Sequence, residues 1–121
     1  KFRKNKDMKI NVKAPINDIR GRQLNEVFEK GGEKTLLTLG DMLLGFLSQN
    51  IKMERNKEAF WVLELGMMIA DSKGEIEVSG DKLDFLRKIV EENKVLLANG
   101  KEDIYFVPFV YAQVMGIFSK K

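Results

Sequence analysis

The chain has 121 residues, 44% of them hydrophobic and 32% charged, with a net charge of +3 and no His or Cys. A length of this order fits one domain with a sizeable core. The missing residue types exclude His-based acid–base chemistry, His or Cys metal centres, Cys nucleophiles and disulfides, and the absence of Cys fits a cytoplasmic setting.

The charge is uneven. Residues 1–22 hold eight cations against two anions, while residues 23–121 hold thirteen against sixteen. Residues 1–7 read as a basic flexible tail and 8–121 as a single domain. Lys1, Arg3, Lys4, Lys6, Lys9 and Lys13 form a possible phosphate-binding arm, because clustered cations give sequence-independent, salt-sensitive affinity for nucleic acid. A solvated tail, or one that docks on an acidic protein, is the plainer reading of the same residues.

Met8 to Lys13 alternates apolar and polar residues, the period of a half-buried strand. Pro15 ends it, Asn17 to Gly21 forms a turn, and a second extended segment before Gly31-Gly32 completes a small N-terminal β-hairpin. From residue 35 the period becomes helical. Thr38 caps a helix that runs to about Gln49, with Asp41 near its positive end.

A second helix covers about Glu54 to Ala70. Phe60, Leu63, Met67 and Ala70 share one stripe, and Trp61, Leu65 and Met68 share another, so this helix is expected at the centre of the core or in an interface. Asp71 to Gly74 stops it, and Glu75 to Val78 is extended. Ser79 then caps an amphipathic helix over about 80–93, with Leu83, Leu86, Ile89 and Val90 inward. Asn99-Gly100 marks a turn. Pro108 opens a last helix whose one strongly polar member is Gln113. The expected fold is mainly α within the α+β class: a compact bundle of about four helices with the N-terminal hairpin.

Motifs for chemistry are weak. Counted from Asp71, a calcium loop fails at its third, sixth and twelfth positions, occupied by Lys73, Ile76 and Lys82. Glu75 with Glu77, and Glu91 with Glu92, fall on wet faces and not in a cleft. No glycine-rich phosphate cradle is present; Gly45 and Gly66 lie inside helices, where close helix packing would offset their cost of about 1 kcal/mol each. No enzyme activity, metal, cofactor or small-molecule substrate is expected.

The positive signal is surplus apolar surface around residues 42–47, 59–70 and 104–118. The longest run, Ile104 to Phe118, is 15 residues, short of the roughly 20 that cross a membrane. Some of this surface should meet a protein partner or another copy. Phe46, Trp61, Met68, Tyr111, Met115 and Phe118 are the candidate partner-binding residues, with Met67 of the same type.

Leu37-Thr38-Leu39-Gly40-Asp41-Met42-Leu43-Leu44 resembles a helix start found in small accessory proteins encoded by tailed phages and prophages. The N-terminal extended segment, the Glu-rich piece at 75–79 and the closing Phe106-Val107-Pro108-Phe109-Val110-Tyr111-Ala112-Gln113-Val114 are similar to theirs as well. The likeness covers most of residues 8–118 and departs at residues 23–34 and in the basic tail. It implies a phage origin and names no activity. The expected role is therefore protein binding, with nucleic-acid association through the arm as the alternative.

Overall fold

The computed structural model describes residues 7–27 and 34–118. In chain order they form β1 (Asp7–Asn11), β2 (Asn25–Val27), β3 (Lys34–Leu36), α1 (Leu39–Leu47), α2 (Lys57–Asp71), β4 (Glu75–Ser79), α3 (Gly80–Glu92), β5 (Lys94–Leu96), β6 (Glu102–Ile104) and α4 (Pro108–Phe118). The strands pair as three antiparallel two-stranded ladders, β1–β4, β2–β3 and β5–β6. Four helices and small ladders make an α+β domain. Among the described residues no helix is long and apolar enough to cross a membrane.

The expected N-terminal hairpin forms in part: an antiparallel bridge between Asn17 and Gln23 closes the turn, but β1 lies in a long-range pairing. Strand β1 does not pair with the segment that follows it but with β4, with Met8 opposite Val78 and Ile10 opposite Ile76. Both strands alternate, so one register puts Ile10, Ile76 and Val78 in the core and sets Lys9 opposite Glu77 on the wet face. The turn at 17–21 does form. The Asp18 carboxylate accepts from the N–H groups of Arg20 and Arg22 at 2.9 and 3.0 Å, and Gly21 supplies a positive φ of 86°. The arm leaving this turn leads into β2, which pairs with β3.

Helix α1 shows why Leu-Thr-Leu-Gly-Asp starts a helix here. Thr38 and Asp41 form a reciprocal capping box. The next N–H groups are taken by the chain leaving β1: Leu39 donates to the Ala14 carbonyl at 2.7 Å, and Gly40 to that of Val12 at 2.8 Å. The approach is close enough that a Cβ on Gly40 would lie 3.0 Å from the Val12 oxygen and 3.3 Å from Ile69 Cγ2. Gly66 differs, since a Cβ there meets nothing within 4 Å. Gly40→Ala is therefore expected to destabilise by about 1–3 kcal/mol through overpacking. Gly66→Ala should gain about 1 kcal/mol from helix propensity. Urea unfolding of both variants in dilute solution checks the opposite signs.

The core gathers on α1, α3 and α4 and on the inner face of β1–β4. Phe46, Phe106, Leu43, Leu86 and Val114 are fully or almost fully buried. Phe46 lies 5.4 Å from Tyr105 and 5.2 Å from Phe106, ring to ring. The Tyr105 hydroxyl lies 2.5 Å from where a Cβ on Gly45 would be, so that glycine has the close packing its helix position calls for.

Two side-chain amides act as strand surrogates. Asn93, just past α3, has a φ of 55° and is buried. Its Nδ2 donates to the Phe106 carbonyl at 2.9 Å, and its Oδ1 accepts from the Phe106 N–H at 2.7 Å. Gln113 does the same for Asn17: Oε1 accepts from its N–H at 2.9 Å, and Nε2 donates to its carbonyl at 2.8 Å. The first pair ties the end of α3 to the start of α4. The second ties α4 to the 17–21 turn.

Candidate interaction face

Helix α2 packs against α1 and α3. It directs Leu65 and Ile69 into the core and keeps Trp61, Val62 and Met68 half-buried. Of the two placements its composition allowed, the centre of the core and an interface, it does not take the first. Phe60, Leu63 and Met67 are 68%, 60% and 56% exposed. At spacings of three and four they lie on one face, with exposed Ala59 and Ala70 along one flank. Lys57, Glu64 and Asp71 are exposed too and follow the other flank. Single exposed apolar residues are ordinary, whereas a continuous stripe of three large ones is informative.

Trp61 is engaged within the chain. Its ring lies 5.6 Å from that of Phe85, while Arg55 and Lys57 stand over it at 5.8 and 5.4 Å, within cation–π range. The start of α2 is held by a buried acid. Glu58 is 4% exposed; its carboxylate accepts from the Glu54 N–H at 3.0 Å and pairs with Arg55 Nε at 3.4 Å. Burial pushes this carboxyl up, but the N–H groups of Glu54 and Arg55, with the Arg55 guanidinium, more than offset it and hold it below its ordinary value of 4.5. A folded-state value below the unfolded one contributes stability above about pH 4.5 that is lost as pH falls further. Glu58→Gln should therefore flatten the loss of stability between about pH 5 and 3, which urea midpoints across that range would read.

The candidate residues fall into three groups. Phe46 and Phe118 are core residues. This corrects their assignment to a partner surface: Phe46 is covered by Tyr105 and Phe106, and the Phe118 carbonyl accepts from Arg87 Nη2 at 3.4 Å. Trp61, Met68, Tyr111 and Met115 are half-buried against the core, and the Tyr111 hydroxyl donates to the Glu91 carbonyl at 2.8 Å. Of the basic arm, Lys1, Arg3, Lys4 and Lys6 lie outside the described residues, as do most of the expected tail and the Gly31-Gly32 break. Lys9 and Lys13 are exposed, and Lys9 stands opposite Glu77.

The stripe that reaches solvent is thus the one without Trp61. The residues that marked it are Lys57, Glu64 and Asp71. All three sit beside Phe60 and Met67 on the helical wheel and away from Leu65 and Ile69.

A cleft of about 390 Å³ opens between Ile51, Ile89 and the β5–β6 ladder. Lys52, Lys88 and Lys94 line it together with Glu54, Glu92 and Glu102. Lys88 pairs with Glu54 at 3.0 Å, and Glu102 bridges Lys52 and Lys94 at 3.3 and 3.4 Å. Those two lysines hold the Glu102 carboxyl below its ordinary range. A bound anion would have to displace carboxylates already in place, so the cleft is a charge-balanced surface network.

Comparison with protein-family models, with curated proteins and with solved structures finds no match.

Proposed function

We propose that this chain is a small phage-type accessory protein whose bundle of four helices presents the outer face of α2 to another protein, and that it works by binding without catalysis. The observation that carries the proposal is the exposure of Phe60, Leu63 and Met67 on one helical face. Covering a side chain of this size is worth about 1.5–3 kcal/mol before the costs of association. An aromatic anchor beside flexible Leu and Met is a common way to build affinity. The flanking charges Lys57, Glu64 and Asp71 would set orientation and association rate. The phage attribution is supported by the sequence resemblance around residues 37–44.

Photo-crosslinking in the cells that make the protein tests the reading. A photoreactive residue replacing Leu63 should form protein adducts, and one replacing Asp84, exposed on α3, should not. Equal labelling at both positions would overturn the proposal.

A further inference from the structure

We propose that the partner of the α2 face is a second copy of this chain, packed antiparallel across a two-fold axis near Leu63. This rests on the reading of the outer face of α2 as a binding face and adds who occupies it.

A two-fold interface must be self-complementary, because each residue meets the counterpart of its own contact. The α2 face has that property. Phe60 and Met67 lie three residues before and four after Leu63, so reversing one helix against another sets Phe60 against Met67 of the second copy, twice. Sulfur against an aromatic ring is a favourable pairing.

The charges follow the same symmetry. Lys57 stands at the start of α2 and Asp71 at its end, both on the flank beside Phe60 and Met67. Antiparallel packing brings Lys57 close to Asp71 of the second copy at each end of the contact. A parallel two-fold would put the Lys57–Asp71 flanks of the two copies on opposite sides of the contact and form neither pair. The helix dipoles also favour the antiparallel arrangement. Glu64 would fall near the axis and meet its own counterpart, but it is already held by Lys82 at 2.7 Å. On the other flank Ala59, Ala70 and Gly66 put no bulk between the helices, and the space over Gly66 is open.

A helix of 15 residues is about 22 Å long. Its single face falls short of the roughly 800 Å² per partner of a standard stable interface. The dimer is accordingly weak and reversible, forming at concentrations on the order of 10–100 µM.

Sedimentation of the full chain from about 1 µM to about 1 mM tests this, with circular dichroism confirming that each variant is folded. The expected mass rises from 13.9 kDa towards twice that value. Leu63→Glu holds the chain at the monomer mass. Lys57→Glu and Asp71→Lys each weaken association about tenfold, and the two together restore it. Lys57 also touches the Trp61 ring, so the Asp71→Lys variant and the rescue carry the test independently of that contact.

A mass that rises without the rescue overturns the antiparallel α2 pairing. A monomer at every concentration overturns self-association, and an apolar fluorescent dye then separates two cases. Dye binding that is lost in Leu63→Glu leaves the outer face of α2 as a site for a foreign partner. Dye binding that ignores Leu63 removes the broader reading as well.

Discussion

Phe46→Ala is expected to cost about 3–5 kcal/mol, the range for truncating a fully buried aromatic side chain. Phe46 has no exposed surface and contacts the rings of Tyr105 and Phe106. It thereby joins α1 to the segment between β6 and α4. Removing the ring leaves a cavity between elements far apart in the chain, and Tyr105, already pressed against Gly45, is poorly placed to close it. Domains of this size hold about 5–15 kcal/mol in total, so the variant loses a large share of its stability. Urea unfolding followed by circular dichroism reads the loss. A change below about 1 kcal/mol would place Phe46 at a surface, where solvent or a partner could reach it.

Asn93→Ala is the second large effect. Asn93 satisfies both the N–H and the carbonyl of Phe106, itself buried. Its Oδ1 and its own carbonyl also receive the Tyr105 N–H, at 3.3 and 3.2 Å. Alanine strands the two Phe106 groups at about 1–3 kcal/mol each. It also places a Cβ-bearing residue without Asn's local hydrogen bonding at positive φ, which costs about 1 kcal/mol more. Asn93→Gly separates the two contributions, since glycine accepts the backbone angle and lacks the amide. The expected order of urea midpoints is Asn93, then Gly, then Ala, with the larger step between Asn93 and Gly. Equal midpoints for all three would mean that the amide carries no weight.

Local signals in the sequence were sufficient for most helices. Thr38 with Asp41, Pro108 at the start of α4 and the clean inward set Leu83, Leu86, Ile89 and Val90 all describe interactions within one turn or one face. The structure carries them at those positions. The alternation of β1 was equally legible, but its partner was not. Nothing local says that Ile10 meets Ile76, 66 positions further on, and not the nearest extended segment. Strands β5 and β6 are three residues each, too short to show a period, and they flank the Asn99-Gly100 turn that was visible. Asn93 and Gln113 read as ordinary polar residues because their partners are backbone groups far along the chain.

The exposed face of α2 was half legible. Composition marked α2 as too apolar for a surface helix, and the helical wheel divided it into two stripes. Choosing between them by residue type favoured Trp61. The fold chose by geometry: Leu65 and Ile69 enter the core, Trp61 leans on Phe85, and the stripe edged by Lys57, Glu64 and Asp71 is left to the solvent. Charge placement along the helix was the better guide, because a charged neighbour cannot follow an apolar stripe into a core without a partner.

The central claim is that α2 has one face inside this domain and one face outside it. The most direct measurement is broadening of methyl resonances by a soluble paramagnetic probe, in protein dilute enough to be monomeric. The methyl groups of Leu63 and Met67 are expected to broaden as strongly as those of Ile19, the most exposed large apolar residue among the described residues, while those of Leu65 and Ile69 stay sharp. Equal protection of all four α2 residues would contradict the account: α2 would then be enclosed by the domain, and no binding face would exist on it.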